Sequence, residues 1–392
     1  VTSVAVTGIG LLTPLGDRVA AVHQAVCDGR CAVRPSTTVE GAGVACIEDF
    51  DASRYARVRG MRLFNRTTLL GLCAAKLALS DALLDAGALG SELGFVTAST
   101  TGHLDTLLAY DRSLVQNGLL RTNPALMALA LPSAPGALIA LSFGGRAFAV
   151  TLGGDASSLD ALGTGARWVA AGRARACVVV AASAVCEELA LSASRAGLLA
   201  RAAEYRVFDR RGCGIAMAEA AVAVVLERTG DARERGVEPK AIVQGQASTF
   251  GAGADDCSGA LRRACDQVLR GAGVAPAELR LVSAGANGSR DDDRMEARGL
   301  VATLGESGAR TPAMAVKASL GEAGDAGGLL QAVLAIASVR SRSAAPIVNL
   351  EEPEVPGLAY VRRETRVEPG SALVTSVGRS GSCSALLLSV RP

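Results

Sequence analysis

The chain has 392 residues, a formal net charge of +2, and 49% hydrophobic residues against 3% aromatic. That length supports one large or two to three ordinary domains with a substantial core, and the intermixed charges leave no electrostatic footprint for nucleic acid. The ten cysteines form no CxxC pair and no cysteine–histidine cluster at metal spacing, no apolar run approaches about 20 residues and no secretory leader is evident, so neither a metal nor a membrane is expected and a reducing cytoplasm is the expected location.

Residues 1–16, VTSVAVTGIGLLTPLG, read as an apolar strand running into a Gly/Pro turn, followed by a helix over 17–28. Residues 29–60 are mixed and read as loops with a short strand. A strong helical pattern covers 66–86, with Leu69, Leu70, Cys73, Leu77 and Leu79 among its apolar positions, and a strand follows at 93–98. A further helix over 101–117 carries Leu104, Leu107, Leu108 and Leu114. The small apolar stretch 123–141 suggests a helix buried on most sides and broken by Pro132 and Pro135.

An apolar run ending Ala147-Phe148-Ala149-Val150 leads into LGGDASSLDALGTG at 152–165, after which Leu159, Leu162, Ala166 and Val169 share one face. This spells strand, tight glycine turn, helix: an elbow that presents Asp155 at a helix N-terminus. ACVVVAASA at 176–184 reads as a strand covered on both faces, and 208–227 as a loop entering another strand. From about residue 230 the pattern begins again, with a strand and turn at 240–251, a helix at 258–271 and a strand at 281–284. A strand at 314–319, a glycine-rich turn at 321–328 and a helix at 329–339 echo the elbow, and two antiparallel strands, 371–379 and 385–390, close the chain. The matching order implies a duplicated α/β core divided into 1–235 and 236–392.

Three motifs in this order resemble those of the β-ketoacyl synthases. VTGIGLLTPLG resembles the opening VTGxGxxTPxG, FD followed by GIAMAEAAVAVVLE resembles FDxxRDGFxxGEGAGxxVLE, and SVGRSGSCSALLL resembles the closing SFGFGGTNASLxF. The resemblance runs essentially end to end and implies a thiolase-like fold of two pseudo-symmetric α/β halves in αβαβα layers, with no cofactor. The family's chemistry uses an elbow cysteine as nucleophile and two histidines that drive malonyl decarboxylation and stabilise enolate and oxyanion. Aligning TACASG with 153–158 puts Asp155 at the cysteine position. Aligning NAHGTxT with 285–290 makes the first histidine Asn287, and in KSxxGHxxGAAG Lys317 and Gly321 remain while the second histidine is Glu322. The second phenylalanine of the closing motif, a gate beside the cysteine, is Arg379.

All three catalytic positions are thus replaced, and a carboxylate cannot stand in for a thiolate in thioester exchange because the anhydride it would form is far more labile. One branch of the family shows this loss. Chain length factors of bacterial type II polyketide systems have an elbow similar to QxGGLDALG, close to DASSLDALG at 155–163. The resemblance implies a subunit that pairs with an active ketosynthase across a pseudo-twofold interface and walls the tunnel of the growing chain on an acyl carrier protein. It places Leu104, Leu107 and Asp111 at tunnel-restricting positions of an interface helix; leucines at that spacing also suit a simple core.

For Asp155 the expectation is an N-cap, its carboxylate accepting helix N–H groups, with acid–base catalysis the other reading. Asn287 and Glu322 are expected in vestigial packing or loop hydrogen bonding, and Glu322 with Arg379 in an ion pair plugging the old pocket. Lys317 and Glu219 are expected as structural polar residues, and His103 as a surface or interface residue. Three functions follow: a non-catalytic partner subunit that extends a polyketide or polyene by decarboxylative condensation together with a ketosynthase; a stand-alone decarboxylase, hydrolase or cyclase using Asp155, Asn287 and Glu322; and an acyl-binding scaffold.

Overall fold

A computed structural model describes residues 2–252 and 254–391. The apolar runs of the first half become β1 (Val4–Leu12), β2 (Leu93–Ala98), β3 (Phe148–Leu152), β4 (Ala176–Ser183) and β5 (Ala220–Arg228). The second half supplies β6 (Ala241–Phe250), β7 (Leu279–Ser283), β8 (Pro312–Met314), β9 (Ala359–Tyr360), β10 (Gly370–Val377) and β11 (Ser382–Val390). These 11 strands form one sheet in the order β9-β8-β7-β10-β11-β6-β1-β5-β4-β2-β3.

Outward from the centre the same arrangement occurs twice. β1 pairs antiparallel with β5 and β5 with β4, after which β4, β2 and β3 run parallel. β6 pairs antiparallel with β11 and β11 with β10, after which β10, β7 and β8 run parallel. The halves meet where β1 pairs with β6 through only three antiparallel residue pairs, Val4 with Val243 to Val6 with Ala241.

Seven helices of the layers are α1 (Val19–Cys27), α2 (Arg66–Asp81), α3 (Leu104–Asn117), α4 (Ser157–Ala170), α5 (Ala254–Ala272), α6 (Arg290–Leu304) and α7 (Gly327–Ser341). α4 and α7 touch each other and strands of both halves, so they form the middle layer, while α2 covers β1, β5 and β4 from outside and α5 covers β6, β11 and β10. The result is the αβαβα layering of the thiolase-like fold. α7 is buried on every side from Gly327 to Ile336, as its central place requires. α4 buries the predicted stripe of Leu159, Leu162, Ala166 and Val169. The GIG of the opening motif has a steric cause: a Cβ on Gly8 would lie 2.2 Å from the Ala78 carbonyl oxygen and one on Gly10 2.1 Å from that of Ala74, so only glycine lets α2 lie this close to β1.

Three expectations need correction. The helix expected over 66–86 stops at Asp81, Leu83 takes a left-handed backbone (φ +54°), and Asp85 starts a separate turn of helix, Ala86–Leu89. The stretch 123–141 does break at its prolines, but Ala125–Leu129 buries none of its residues and Ala134–Phe143 only half of its length. The segment 314–319 is not a strand: β8 pairs with β7 only at Ala313 and Met314, after which Lys317–Leu320 turns into a short helix that points Lys317 back toward the elbow. Residues 29–60 hold two short strands, Arg34–Pro35 and Gly43–Ala45. Among the described residues no single helix is long and apolar enough to cross a membrane, and all ten cysteines are free.

Candidate functional site

The elbow forms where β3 ends and Gly154, at φ +121°, turns the chain into α4. It opens on a cavity of about 310 Å³ whose walls include Asp155, Asn287, Lys317, Glu322 and Arg379. The fold therefore brings together the three replaced catalytic positions from loops far apart in sequence. No cysteine and no histidine lines this cavity. Hollows elsewhere, one of about 620 Å³ between α1, α2 and the C-terminal end of α7, contain none of these residues.

Asp155 does not cap α4. The helix starts at Ser157, so the cap position is Ala156, which makes no side-chain bond, and Asp155 lies one residue too early. Its Oδ2 instead accepts from the Ser380 N–H at 2.9 Å and the Ser380 hydroxyl at 2.8 Å. The acidic residue in contact with the first residue of α4 is Asp325, from the glycine-rich turn before α7, which also binds the loop after β2. It accepts from the Thr100 N–H (2.8 Å) and the Thr101 N–H (3.3 Å), and the Ser157 hydroxyl donates to it at 3.4 Å. Nothing in the sequence distinguished Asp325 beyond its place in the turn that echoes the elbow.

Glu322 is held from three sides. Lys317 Nζ lies 2.7 Å from its Oε2, Asn287 Nδ2 donates to the same oxygen at 3.1 Å, and the Gly324 N–H donates to Oε1 at 2.9 Å. The expected Glu322–Arg379 ion pair does not form. Lys317 and Glu322 side chains are only 7% and 15% exposed, and a buried carboxylate takes the buried cation beside it. Arg379, 52% exposed at the cavity mouth, pairs with Asp292 at 3.2 Å and donates to the Ser289 hydroxyl at 3.2 Å. Asn287 and Glu322 thus take part in the loop hydrogen bonding expected of them.

Beneath the Asn287 loop lies Asp293, which accepts from the N–H groups of Asn287 (2.7 Å), Gly288 (3.2 Å) and Phe208 (2.7 Å). Burial pushes its carboxyl up to about 7, against the pull of those donors. Glu296 accepts from Thr375 Oγ1 (2.6 Å) and the Gly285 N–H (2.8 Å), and burial raises it as well. Glu219 binds Arg66 through two bonds of 2.7 Å and accepts from the Ile47 N–H at 2.9 Å, tying the start of α2 to two loops. The Arg66 guanidinium is raised in turn by that hydrogen-bonded carboxylate.

On α3 no residue is fully buried: Leu104 and Leu107 are half-buried and Asp111 is exposed. Within this subunit the two leucines are partly covered, neither full core nor free surface. Nearby apolar side chains point to solvent, with Val115 86%, Leu119 73% and Leu120 100% exposed. β3 is an edge strand of the sheet with no fully buried residue. His103, just before α3, is not on the surface. It is buried, its Nδ1 has no hydrogen-bond partner among the described residues, and burial lowers its pKa against the pull of Asp105 and Asp325.

Chemically the cavity offers carboxylates, an amide and an ammonium that already satisfy one another. It offers no thiolate to accept an acyl group and no imidazole to move a proton.

Comparison with known proteins agrees with this geometry and with the motifs. The family model for the beta-ketoacyl synthase N-terminal domain matches residues 2–232, and that for the C-terminal domain matches 240–351. A protein of Streptomyces coelicolor named as a polyketide beta-ketoacyl synthase 2 is 32% identical over 98% of this chain and 94% of its own length. Among solved structures, the ishigamide ketosynthase/chain length factor superimposes with a TM-score of 0.89 at 23% identity, covering 100% of both chains. AntDE:AntF, a type II PKS acyl-carrier protein in complex with its ketosynthase, gives 0.86 at 22% identity, again over 100% of both. With family models covering both halves, a full-length relative above 30% identity and the same layered fold, the chain belongs to the β-ketoacyl synthase family.

Proposed function

We propose that this chain is a non-catalytic, chain-length-factor-type subunit. It pairs with an active ketosynthase and shapes the tunnel in which a polyketide or polyene chain, carried on an acyl carrier protein, is extended by decarboxylative Claisen condensation. The observation that carries this reading is the state of the elbow cavity: where the family's chemistry needs a thiol and two imidazoles, Asp155, Asn287 and Glu322 are bonded into the surrounding loops. Condensation needs the missing groups, so they must come from another chain.

The outer face supports the same reading. α3 has no fully buried residue within its own subunit, and its partly buried leucines with their exposed neighbours form the kind of apolar surface that a partner covers. Leu104, Leu107 and Asp111 would then face the tunnel across that interface. Arg57, Arg59 and Arg62 are exposed and have no acidic partner among the described residues, a cationic edge suited to the phosphate of a carrier arm. We place the boundary between the halves near residue 235, between β5 and β6, and the working location in the cytoplasm, where ten free cysteines stay reduced.

The test is co-expression with a ketosynthase that retains the cysteine and both histidines, such as one encoded beside this chain. A stable heterodimer is expected, with condensation depending on the partner's cysteine. Asp155→Ala here should leave extension intact, whereas Leu107→Trp should shift the products to shorter chains by filling the tunnel. A homodimer that turns over an acyl thioester alone, and loses this with Asp155→Ala, would refute the subunit reading in favour of stand-alone chemistry.

A further inference from the structure

We infer that Asp155 is a positioning residue that latches the loop 378–381, so that the family's gate has become a fixed wall in this chain. Two departures from the family motifs meet here. Asp155 stands at the elbow cysteine, and Ser380 stands where SFGFGGTN, aligned with SVGRSGSC, has a glycine. One carboxylate oxygen, Asp155 Oδ2, accepts both the N–H (2.9 Å) and the hydroxyl (2.8 Å) of Ser380. The family pairing could not make this contact: a thiol is a weak acceptor and glycine has no hydroxyl to donate.

The rest of the loop points the same way. Its ends are tied by backbone bonds, Gly378 N–H to the Ser382 carbonyl (2.8 Å), Gly381 N–H to that of Gly378 (2.9 Å), and Gly251 N–H to that of Gly381 (2.9 Å). Gly378 lies directly on the latch, since a Cβ there would come within 2.2 Å of the Asp155 Cβ. Only the tip, Arg379-Ser380, lacks backbone ties, and there Asp155 holds Ser380 while Asp292 and Ser289 hold Arg379 across the cavity mouth. Asp155 is exposed, so water competes for it; the grip comes from two donors converging on one charged acceptor. This holds whether or not the cavity keeps any chemistry, and so stands apart from the proposed function.

The experiment compares the full-length wild type with Asp155→Ala, Asp155→Asn and Ser380→Ala. It reads hydrogen exchange over the 376–384 segment and trypsin cleavage of the Arg379–Ser380 bond, with cleavage after Arg201 as an internal control and the thermal midpoint as a check on folding. Asp155→Ala should accelerate both loop signals about tenfold, Ser380→Ala less because its N–H remains, and Asp155→Asn should fall between wild type and alanine because it keeps an oxygen acceptor without the charge. Equal loop rates in wild type and Asp155→Ala would overturn the latch. So would acceleration that appears equally after Arg201, or an Asp155→Asn variant as fast as the alanine.

Discussion

The elbow cavity and the α3 face treat unsatisfied groups in opposite ways. In the cavity every replaced catalytic position is matched: Glu322 by Lys317 and Asn287, Asp155 by Ser380, Arg379 by Asp292. On α3 and its surroundings apolar side chains remain uncovered, Leu120 completely. The inside is bonded among its own residues, and the outside is the surface that the proposed partner would cover.

The comparison can be broken most forcefully from the inside. Glu322→Ala leaves the Lys317 ammonium buried without its carboxylate and should cost about 3–5 kcal/mol of stability, read from urea unfolding; a loss under about 1 kcal/mol would mean water already satisfies the lysine. From the outside, Leu119→Asp with Leu120→Asp should weaken association with the ketosynthase by about 2–4 kcal/mol in a binding titration, with subunit stability unchanged. Weakened stability without weakened association would reverse the roles assigned to the two regions. The most gradual effect, spread over several pH units, concerns Asp293. Its carboxyl is raised to about 7, so between its ordinary value near 4 and 7 the folded chain retains a proton that the unfolded chain has lost. Stability should therefore fall as pH rises through that window, by at most about 1.4 kcal/mol per pH unit, and Asp293→Asn should flatten that part of the profile.

Much of this architecture was legible in the sequence because it is written in local periodicity. β2 begins and ends where the apolar run does, at Leu93 and Ala98, and the α4 stripe faces inward as its spacing requires. The motifs also located the cavity, since Asp155, Asn287 and Glu322 do converge. What local patterns could not supply was the partner of each side chain. Ser380 lies 225 residues from Asp155, and whether Arg379 reaches Glu322 or Asp292 depends on how deeply each is buried. The N-cap expectation failed by a single residue, because helix starts are set by where the turn finishes and not by which side chain would suit the cap. Asp325 went unnoticed for the same reason as Ser380: its contacts exist only once the loop at Thr100–Thr101 and the start of α4 have been folded against it.

The matched replacements also bear on reversion. Replacing Asp155 by cysteine alone would take the charged acceptor from Ser380 and leave Arg379 across the mouth, and replacing Glu322 by histidine alone would leave Lys317 buried without its carboxylate. On the proposed function, each single step back would lose bonds the present chain makes, so the substitutions would be coupled and a gain of catalysis would have to change several positions at once.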